Sequence, residues 1–182
     1  PGHRHRSPFV GFCPGDRITR EDTPEYFRAA RKLLSKRQAA ERKTSSAFAM
    51  VLDAQMLARF FEGDAALAEL EFAAKTWMMG NLLLSHVDWR PSRDTLNWFE
   101  GQKLFQIEAC IGVVAAVAEM LLQDRRSLLT LLPALPSAWP TGSVAGLRTR
   151  NGFEVDVEWE NGALQQARIR SHRGEECRVR LT

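Results

Sequence analysis

The chain has 182 residues, 45% of them hydrophobic, which suits one medium-sized domain or one domain with a small appendage. Its 25 Lys and Arg are interleaved with 22 Asp and Glu, and a net charge of +3 is a weak basis for nucleic-acid binding. Three widely spaced cysteines argue against a disulfide scaffold and a zinc knuckle, and no apolar run is long enough for a membrane span. We therefore expect no cofactor, metal, nucleic-acid or membrane partner. With no signal peptide in view, the compartment stays open between the cytoplasm and a secreted or periplasmic location.

The first 22 residues form an irregular segment that glycines and prolines interrupt. His3 and His5 flank Arg4, and in an extended strand the two imidazoles would face the same side. Two interpretations remain open, an exposed basic loop or a loop that lines a polar pocket. The chain starts Pro-Gly-His without an initiator Met or a capped element, which predicts that it is the middle of a longer protein.

Three helices are predicted before residue 80 from their caps and apolar spacing. They cover about 24–37, 46–62 and 64–79, with Thr23, Ser45 or Ser46, and Asp64 as N-caps and with 38–44 as a loop. Because Gly63-Asp64 leaves a minimal turn between the second and third helices, we expect these two to be antiparallel neighbours.

Residues 81–103 are predicted as a long connection, a kind of segment that is often functional or mobile. Asp88, Asp94 and Glu100 are candidate acids within it. The alternative is that all three are ordinary solvated loop carboxylates.

The stretch 104–140 joins a helical pattern to a strand pattern. Its helix, about 111–122, is apolar on almost every face, which predicts a buried inner helix whose neighbours lie partly outside this chain. In isolation such a helix should expose apolar surface. Glu108 lies at the start of this helix. It is an isolated carboxylate, and its structural interpretation is a partly buried group that binds backbone at the positive end of the helix dipole.

After a turn rich in Pro and Gly, residues 153–159 alternate apolar and acidic, as in a strand with one buried face. Asn161-Gly162 marks a hairpin. A three-residue loop is predicted, with Gly162 left-handed, because pairing Glu160 with Leu164 keeps the apolar faces together. The predicted pairs are then Val157 with Ala167, Val155 with Ile169, and Asp156 with Arg168. Residues 177–181 are predicted as a third strand.

Two runs in this order, FQIEACIGVVAAVAEMLLQ (105–123) and LLPALPSAWPTGSVAGLRTRNGFEVDVEW (131–159), resemble the end of the α-L-fucosidases of glycoside hydrolase family 95. HRHRSPFVGFCPGD (3–16) is similar to that family's His-rich barrel loop, and NLLLSH (81–86) also resembles the family. The agreement covers nearly the whole chain.

The resemblance implies a multi-part α+β fold. Residues 1–130 would be the last helices of an (α/α)6 barrel, and 131–182 part of a small antiparallel β-sandwich domain. It also implies an inverting hydrolase that removes terminal α-L-fucosyl residues from glycans. The partners would be a fucosylated glycan and the upstream part of the same protein, where the family carries its general acid.

The family's motif Phe-Gln-Ile-Asp-Gly-Asn-Phe-Gly is altered here to Phe-Gln-Ile-Glu-Ala-Cys-Ile-Gly (105–112). Glu108 replaces the Asp on the side of the catalytic base, and Ala109-Cys110 replaces Gly-Asn. The carboxylate moves about 1.5 Å, and a displacement on that scale can cost roughly 100-fold in rate. The resemblance assigns catalysis to Glu108 and substrate binding to His3 and His5. The alternative is a non-catalytic remnant with a structural, glycan-binding or protein-binding role.

Overall fold

The structure is a computed structural model that describes residues 5–41, 46–86, 104–125 and 128–181. These residues form four α-helices and then six strands in two sheets, which confirms the predicted α+β class. The helices are α1 (Pro24–Glu41), α2 (Ala47–Arg59), α3 (Gly63–Trp77) and α4 (Ile107–Leu121). The strands are β1 (Leu122–Arg125), β2 (Leu128–Leu131), β3 (Gly142–Arg148), β4 (Phe153–Glu160), β5 (Ala163–Ser171) and β6 (Arg178–Leu181). No described helix is long and apolar enough to cross a membrane.

Helix α2 is the centre of the helical half, with 10 of its 13 residues buried. It packs against both α3 and α4. Helices α2 and α4 run parallel, because contacts join their starts, middles and ends in the same order: Phe48 with Gln106, Gln55 with Gly112, and Arg59 with Glu119. Helices α1 and α3 run the other way outside α2, joined by Arg31–Glu62 and Gln38–Glu69 contacts. The described helices are thus a parallel pair, α2 and α4, with α1 and α3 running in the opposite direction.

The helix boundaries differ from the predicted ones at several places. Helix α4 begins at Ile107 rather than near residue 111, and α2 ends at Arg59 rather than near residue 62. Helix α1 continues to Glu41, and the side chain of Gln38 in this last turn donates to Glu69 Oε1 at 3.0 Å. Asp64 is not the N-cap of α3, since Glu62 takes that position and Asp64 lies in the first turn. Its Oδ1 instead accepts hydrogen bonds from the backbone N and the Oγ of Ser137 at 2.7 and 2.9 Å.

Helix α4 is buried on one side and bare on the other. Ala109, Gly112, Ala116 and Met120 are buried, at the spacing of one helix face. On the opposite side Ile107, Ile111 and Val114 are 53%, 63% and 70% exposed. The expectation of exposed apolar surface on this helix is confirmed, because the described residues cover one of its faces and leave the other to solvent.

The β4–β5 hairpin has the predicted side-chain pairs but not the predicted loop. Val157 opposes Ala167, Val155 opposes Ile169 and Asp156 opposes Arg168. The three-residue loop is wrong: Glu160 pairs with Ala163, so the turn has two residues, and both Asn161 (φ 53°) and Gly162 (φ 74°) are left-handed. The register shifts by one residue between Trp159 and Glu158, which leaves Gln165 as a bulge. The bulge supplies the extra residue that the alternation requires.

The outer face of this sheet carries a ladder of acidic residues and arginines, which includes the predicted Asp156–Arg168 pair. Glu154 binds Arg148 at 2.9 Å and Arg170 at 2.7 Å, and Asp156 lies 3.7 Å from Arg168. The predicted third strand exists as β6, but it pairs in parallel with β2 in the other sheet. Strands β1 and β2 were not predicted, and their leucines pack on the apolar face of β4 to form the second core.

Candidate functional site

The N-terminal ends of α2 and α4 form one edge of the helical half. Gln106, the residue before α4, is buried, and its Oε1 accepts the backbone N–H of Phe48 in the first turn of α2 at 3.0 Å. Ser46 caps α2 from its own side chain, accepting from Ala49 N at 3.4 Å. The residue before α4 thus accepts a backbone N–H of the first turn of α2, which has no partner within its own helix. This contact fixes the two first turns beside each other.

The entry to α4 is also held by a short antiparallel contact. Ser85 and Phe105 form a bridge, flanked by hydrogen bonds from His86 N to Leu104 O at 2.6 Å and from Gln106 N to Leu84 O at 2.9 Å. The candidate acids Asp88, Asp94 and Glu100 lie between these two segments, outside the described residues.

Glu108 lies in the first turn of α4 and is exposed. No hydrogen bond to its carboxylate occurs within the described ranges, so Glu108 differs from the partly buried, backbone-bound carboxylate of the structural interpretation. Its helical neighbours Phe105, Ile107 and Ile111 are at least half exposed. The helix dipole favours a negative charge at this position. Glu108 is therefore a charged acceptor on an otherwise apolar edge.

His5 is exposed, and its carbonyl oxygen accepts from Arg37 Nη2 at 2.9 Å. The next residue, Arg6, is buried and binds Asp53 of α2 with two hydrogen bonds, Nε to Oδ1 at 2.6 Å and Nη2 to Oδ2 at 2.8 Å. Asp53 is fully buried. The loop that carries His5 is therefore anchored on α2, whereas His3 lies outside the described residues.

Helix α2 is the common support of both candidates. The Arg6–Asp53 pair connects the His5 loop to α2, and Gln106 connects the entry of α4 to it. Gly112 lets α4 approach closely: a Cβ there would lie 2.5 Å from Val51 Cγ1. Its carbonyl oxygen also accepts from Gln55 Nε2 at 3.2 Å. No set of three His, Cys, Asp or Glu that could hold a metal occurs in the described part of the chain.

Comparison with known proteins identifies both halves. Residues 1–121 match the model of the glycosyl hydrolase family 95 catalytic domain, and residues 123–182 match the family 95 C-terminal domain. The chain belongs to glycoside hydrolase family 95. The two matches meet where α4 ends and β1 begins, while the division after residue 130 stays a prediction.

Family 95 relatives include alpha-L-fucosidase 2 of Arabidopsis thaliana, which is 35% identical over 168 residues, 89% of this chain and 18% of that protein. The probable alpha-fucosidases A of Aspergillus niger and Aspergillus oryzae are 35% and 40% identical over 77 and 70 residues. These matches cover 36% and 33% of this chain and 10% of each relative. The chain thus spans less than a fifth of the length of these relatives.

Cys110 occupies the position of the family 95 motif's Asn. Its Sγ accepts the backbone N–H of Leu84 at 3.2 Å, so the thiol binds main chain. Ala109 beside it is fully buried against the core. Ala109 and Cys110 therefore contact other parts of the chain, whereas Glu108 is exposed.

Sequence analysis missed Arg6, Asp53 and Gln106, the polar residues that hold the edge together. Arg6 and Asp53 are 47 positions apart, and Gln106 is 58 positions from Phe48. A lone arginine in a basic loop and a lone aspartate in an apolar helix carry no signal that they pair. The one available clue is that Asp53 lies on the buried stripe of α2, where an acid needs a partner.

Proposed function

We propose that this chain serves in an inverting α-L-fucosidase that removes terminal α-L-fucosyl residues from glycans. Membership of family 95 supports the hydrolase class, and the relatives' names support fucose as the sugar. The observation that carries the proposal is the edge at α2 and α4. An exposed carboxylate lies at this edge, and the loop with the exposed His5 is anchored farther along α2 through the buried Arg6–Asp53 pair.

Glu108 acts on the water side of the reaction in this proposal. Inversion needs two carboxyl groups about 6.5–9.5 Å apart, one to protonate the leaving oxygen and one to activate a water. Glu108 is an exposed carboxylate, so it can reach a water or the side chains that activate the water. His5 and His3 bind sugar hydroxyls, for which imidazole offers both a donor and an acceptor nitrogen.

The 182-residue chain by itself is inactive in this proposal. The motif that supplies the general acid in the family lies upstream of the motifs found here. This chain therefore supplies one of the two catalytic carboxyl groups. Catalysis needs a version extended upstream through the whole barrel.

The test measures fucose release from an α-1,2-fucosylated glycan by the 182-residue chain and by the extended version. We expect release by the extended version alone, with β-L-fucose as the first product seen by NMR. A first product of α-L-fucose would contradict the inverting mechanism. A folded extended version that releases no fucose would contradict the hydrolase proposal.

The second candidate function is a non-catalytic role in glycan or protein binding. The hydrogen bond from Leu84 N to Cys110 Sγ favours this second candidate. Cys110 replaces the motif's Asn, and its sulfur accepts from the main chain. In that case the folded extended version would bind the same glycan without cleaving it. Binding without turnover, measured by titration calorimetry, separates this candidate from the first.

A further inference from the structure

A cavity of about 300 Å³ lies at the other end of the inner helices, between the end of α2, the segment before α1, and strands β1, β2 and β6. Its described lining carries more positive than negative charge. The charged lining residues are Arg20, Arg59, Arg125, Arg178 and Arg180 against Glu21 and Asp22. Helix α2 separates this cavity from the edge at Glu108 by 13 residues, about 20 Å.

Arg180 and Arg59 each bind an acid. Arg180 Nη1 binds Glu21 Oε1 at 2.6 Å on the rim. Arg59 is buried, and its Nη2 binds Glu119 Oε1 at 2.6 Å, while its Nη1 donates to the carbonyl oxygens of Phe12 and Gly15. Burial is the largest influence and lowers the pKa of the Arg59 guanidinium, but the hydrogen bond that Arg59 donates to Glu119 and the nearby negative charges together outweigh burial and raise the pKa. Arg59 is therefore a fixed positive charge in the wall.

Arg125 is held in a different way. Its guanidinium lies over the ring of Phe12, 5.8 Å from the centroid, and its Nη2 is buried without a hydrogen-bond partner among the described residues. Burial, and then the charge of Arg59, lower the pKa of Arg125. The charges of Glu119, Cys13 and Asp16 oppose this lowering, and Oε2 of Glu119 is itself buried without a hydrogen-bond partner among the described residues. A buried donor without an acceptor is unfavourable, and an anion in the cavity would supply the missing acceptor.

Arg20 adds a further cation at the mouth. It is exposed and lies over the ring of Phe61, 5.9 Å from the centroid. Phe61 itself has a left-handed backbone (φ 64°) at the end of α2. Aromatic rings thus orient both Arg20 and Arg125, and leave the N–H groups of each guanidinium for a ligand.

We propose that this cavity binds a small oxoanion, phosphate or sulfate, either free or as the ester of a sugar-sized molecule. Guanidinium forks match tetrahedral oxoanions with paired N–H donors. A volume of about 300 Å³ is at the lower end for ligand pockets, which fits a small ligand. This site is separate from the proposed glycosidase edge and does not depend on that proposed function.

The test titrates the 182-residue chain by calorimetry with inorganic phosphate, inorganic sulfate and a hexose 6-phosphate, at ionic strength held constant with sodium chloride. We expect saturable binding of at least one of them. Arg125→Gln should weaken that binding about 10-fold or more, since a charge-assisted hydrogen bond contributes about 1.5–3 kcal/mol. Arg20→Gln should weaken it several-fold. Arg168→Gln, on the outer ladder of β5, is the matched control and should leave binding unchanged.

Tighter binding of the hexose phosphate would identify the ester as the ligand, and tighter binding of an inorganic ion would identify the free oxoanion. Absence of saturable binding up to about 10 mM of all three would overturn the proposal. Equal binding by the wild type, Arg168→Gln, Arg125→Gln and Arg20→Gln would also overturn the proposal. Circular dichroism checks each variant's fold. If Arg125→Gln is misfolded, the exposed Arg20→Gln decides.

Discussion

The two halves of the molecule are specified in different ways. In the β half, the β4–β5 hairpin is determined by neighbours in sequence, through alternation of side chains and a two-residue turn. In the helical half, the contacts that place the helices each use a polar side chain and join residues 47 to 65 positions apart: Arg6–Asp53, Gln106–Phe48, Arg59–Glu119 and Gln123–Ala58. We therefore expect single substitutions to be costly in the helical half and mild in the hairpin.

The largest effect is expected at Asp53. Asp53→Ala leaves Arg6 buried without its partner, and breaking a buried ion pair in this way costs about 3–5 kcal/mol of unfolding free energy. Urea denaturation followed by circular dichroism measures the loss. The double variant Arg6→Met, Asp53→Leu is the control and should recover most of the stability, because it removes both charges. A loss below about 1 kcal/mol for Asp53→Ala would show that the pair is not the anchor of the His5 loop.

A smaller effect is expected at Gly112, where α4 touches α2. The new Cβ of Gly112→Ala would overlap Val51 Cγ1, and overpacking of this kind costs about 1–3 kcal/mol, partly offset by the better helix propensity of Ala. The same denaturation experiment measures the loss. Adding Val51→Ala should relieve the clash. If Gly112→Ala is as stable as the wild type, the close approach of the two helices is not required.

The smallest effect is expected in the hairpin turn. Gly162 has φ of 74° with open space around it, so Gly162→Ala meets no neighbour and costs about 1 kcal/mol from the left-handed backbone alone. Gly80→Ala is the matched control, since Gly80 also has open space but no left-handed backbone, and it should be neutral or slightly stabilising. A cost at Gly162 as large as that at Asp53 would contradict the contrast between the halves.

The same contrast explains what the sequence could predict. Alternation over 153–159 determined which faces of β4 and β5 meet, and caps and apolar spacing located the helices to within a few residues. The loop prediction was wrong because a bulge at Gln165 and a loop longer by one residue give the same β4–β5 pairs from Glu158 to Phe153. Alternation cannot distinguish the two.

The candidate site was less predictable because its support is not local. Glu108 and His5 stood out in the sequence pattern, their roles were assigned through the resemblance, and both roles stay predictions. Arg6, Asp53 and Gln106 could not be found, since their partners are defined by packing of helices far apart in sequence. Strands β1 and β2 were missed because LQDR and LLTL are too short to carry a period.

The most direct test of the central claim replaces Glu108 by Gln in the version extended through the barrel, which removes the charge and keeps the shape. We expect kcat for fucose release to fall about 100-fold or more with KM little changed, as for a group that acts on the reacting water. Glu25→Gln, another exposed acid in the first turn of a helix, is the matched control and should retain full activity. Equal kcat for Glu108→Gln and Glu25→Gln would contradict a catalytic role for Glu108.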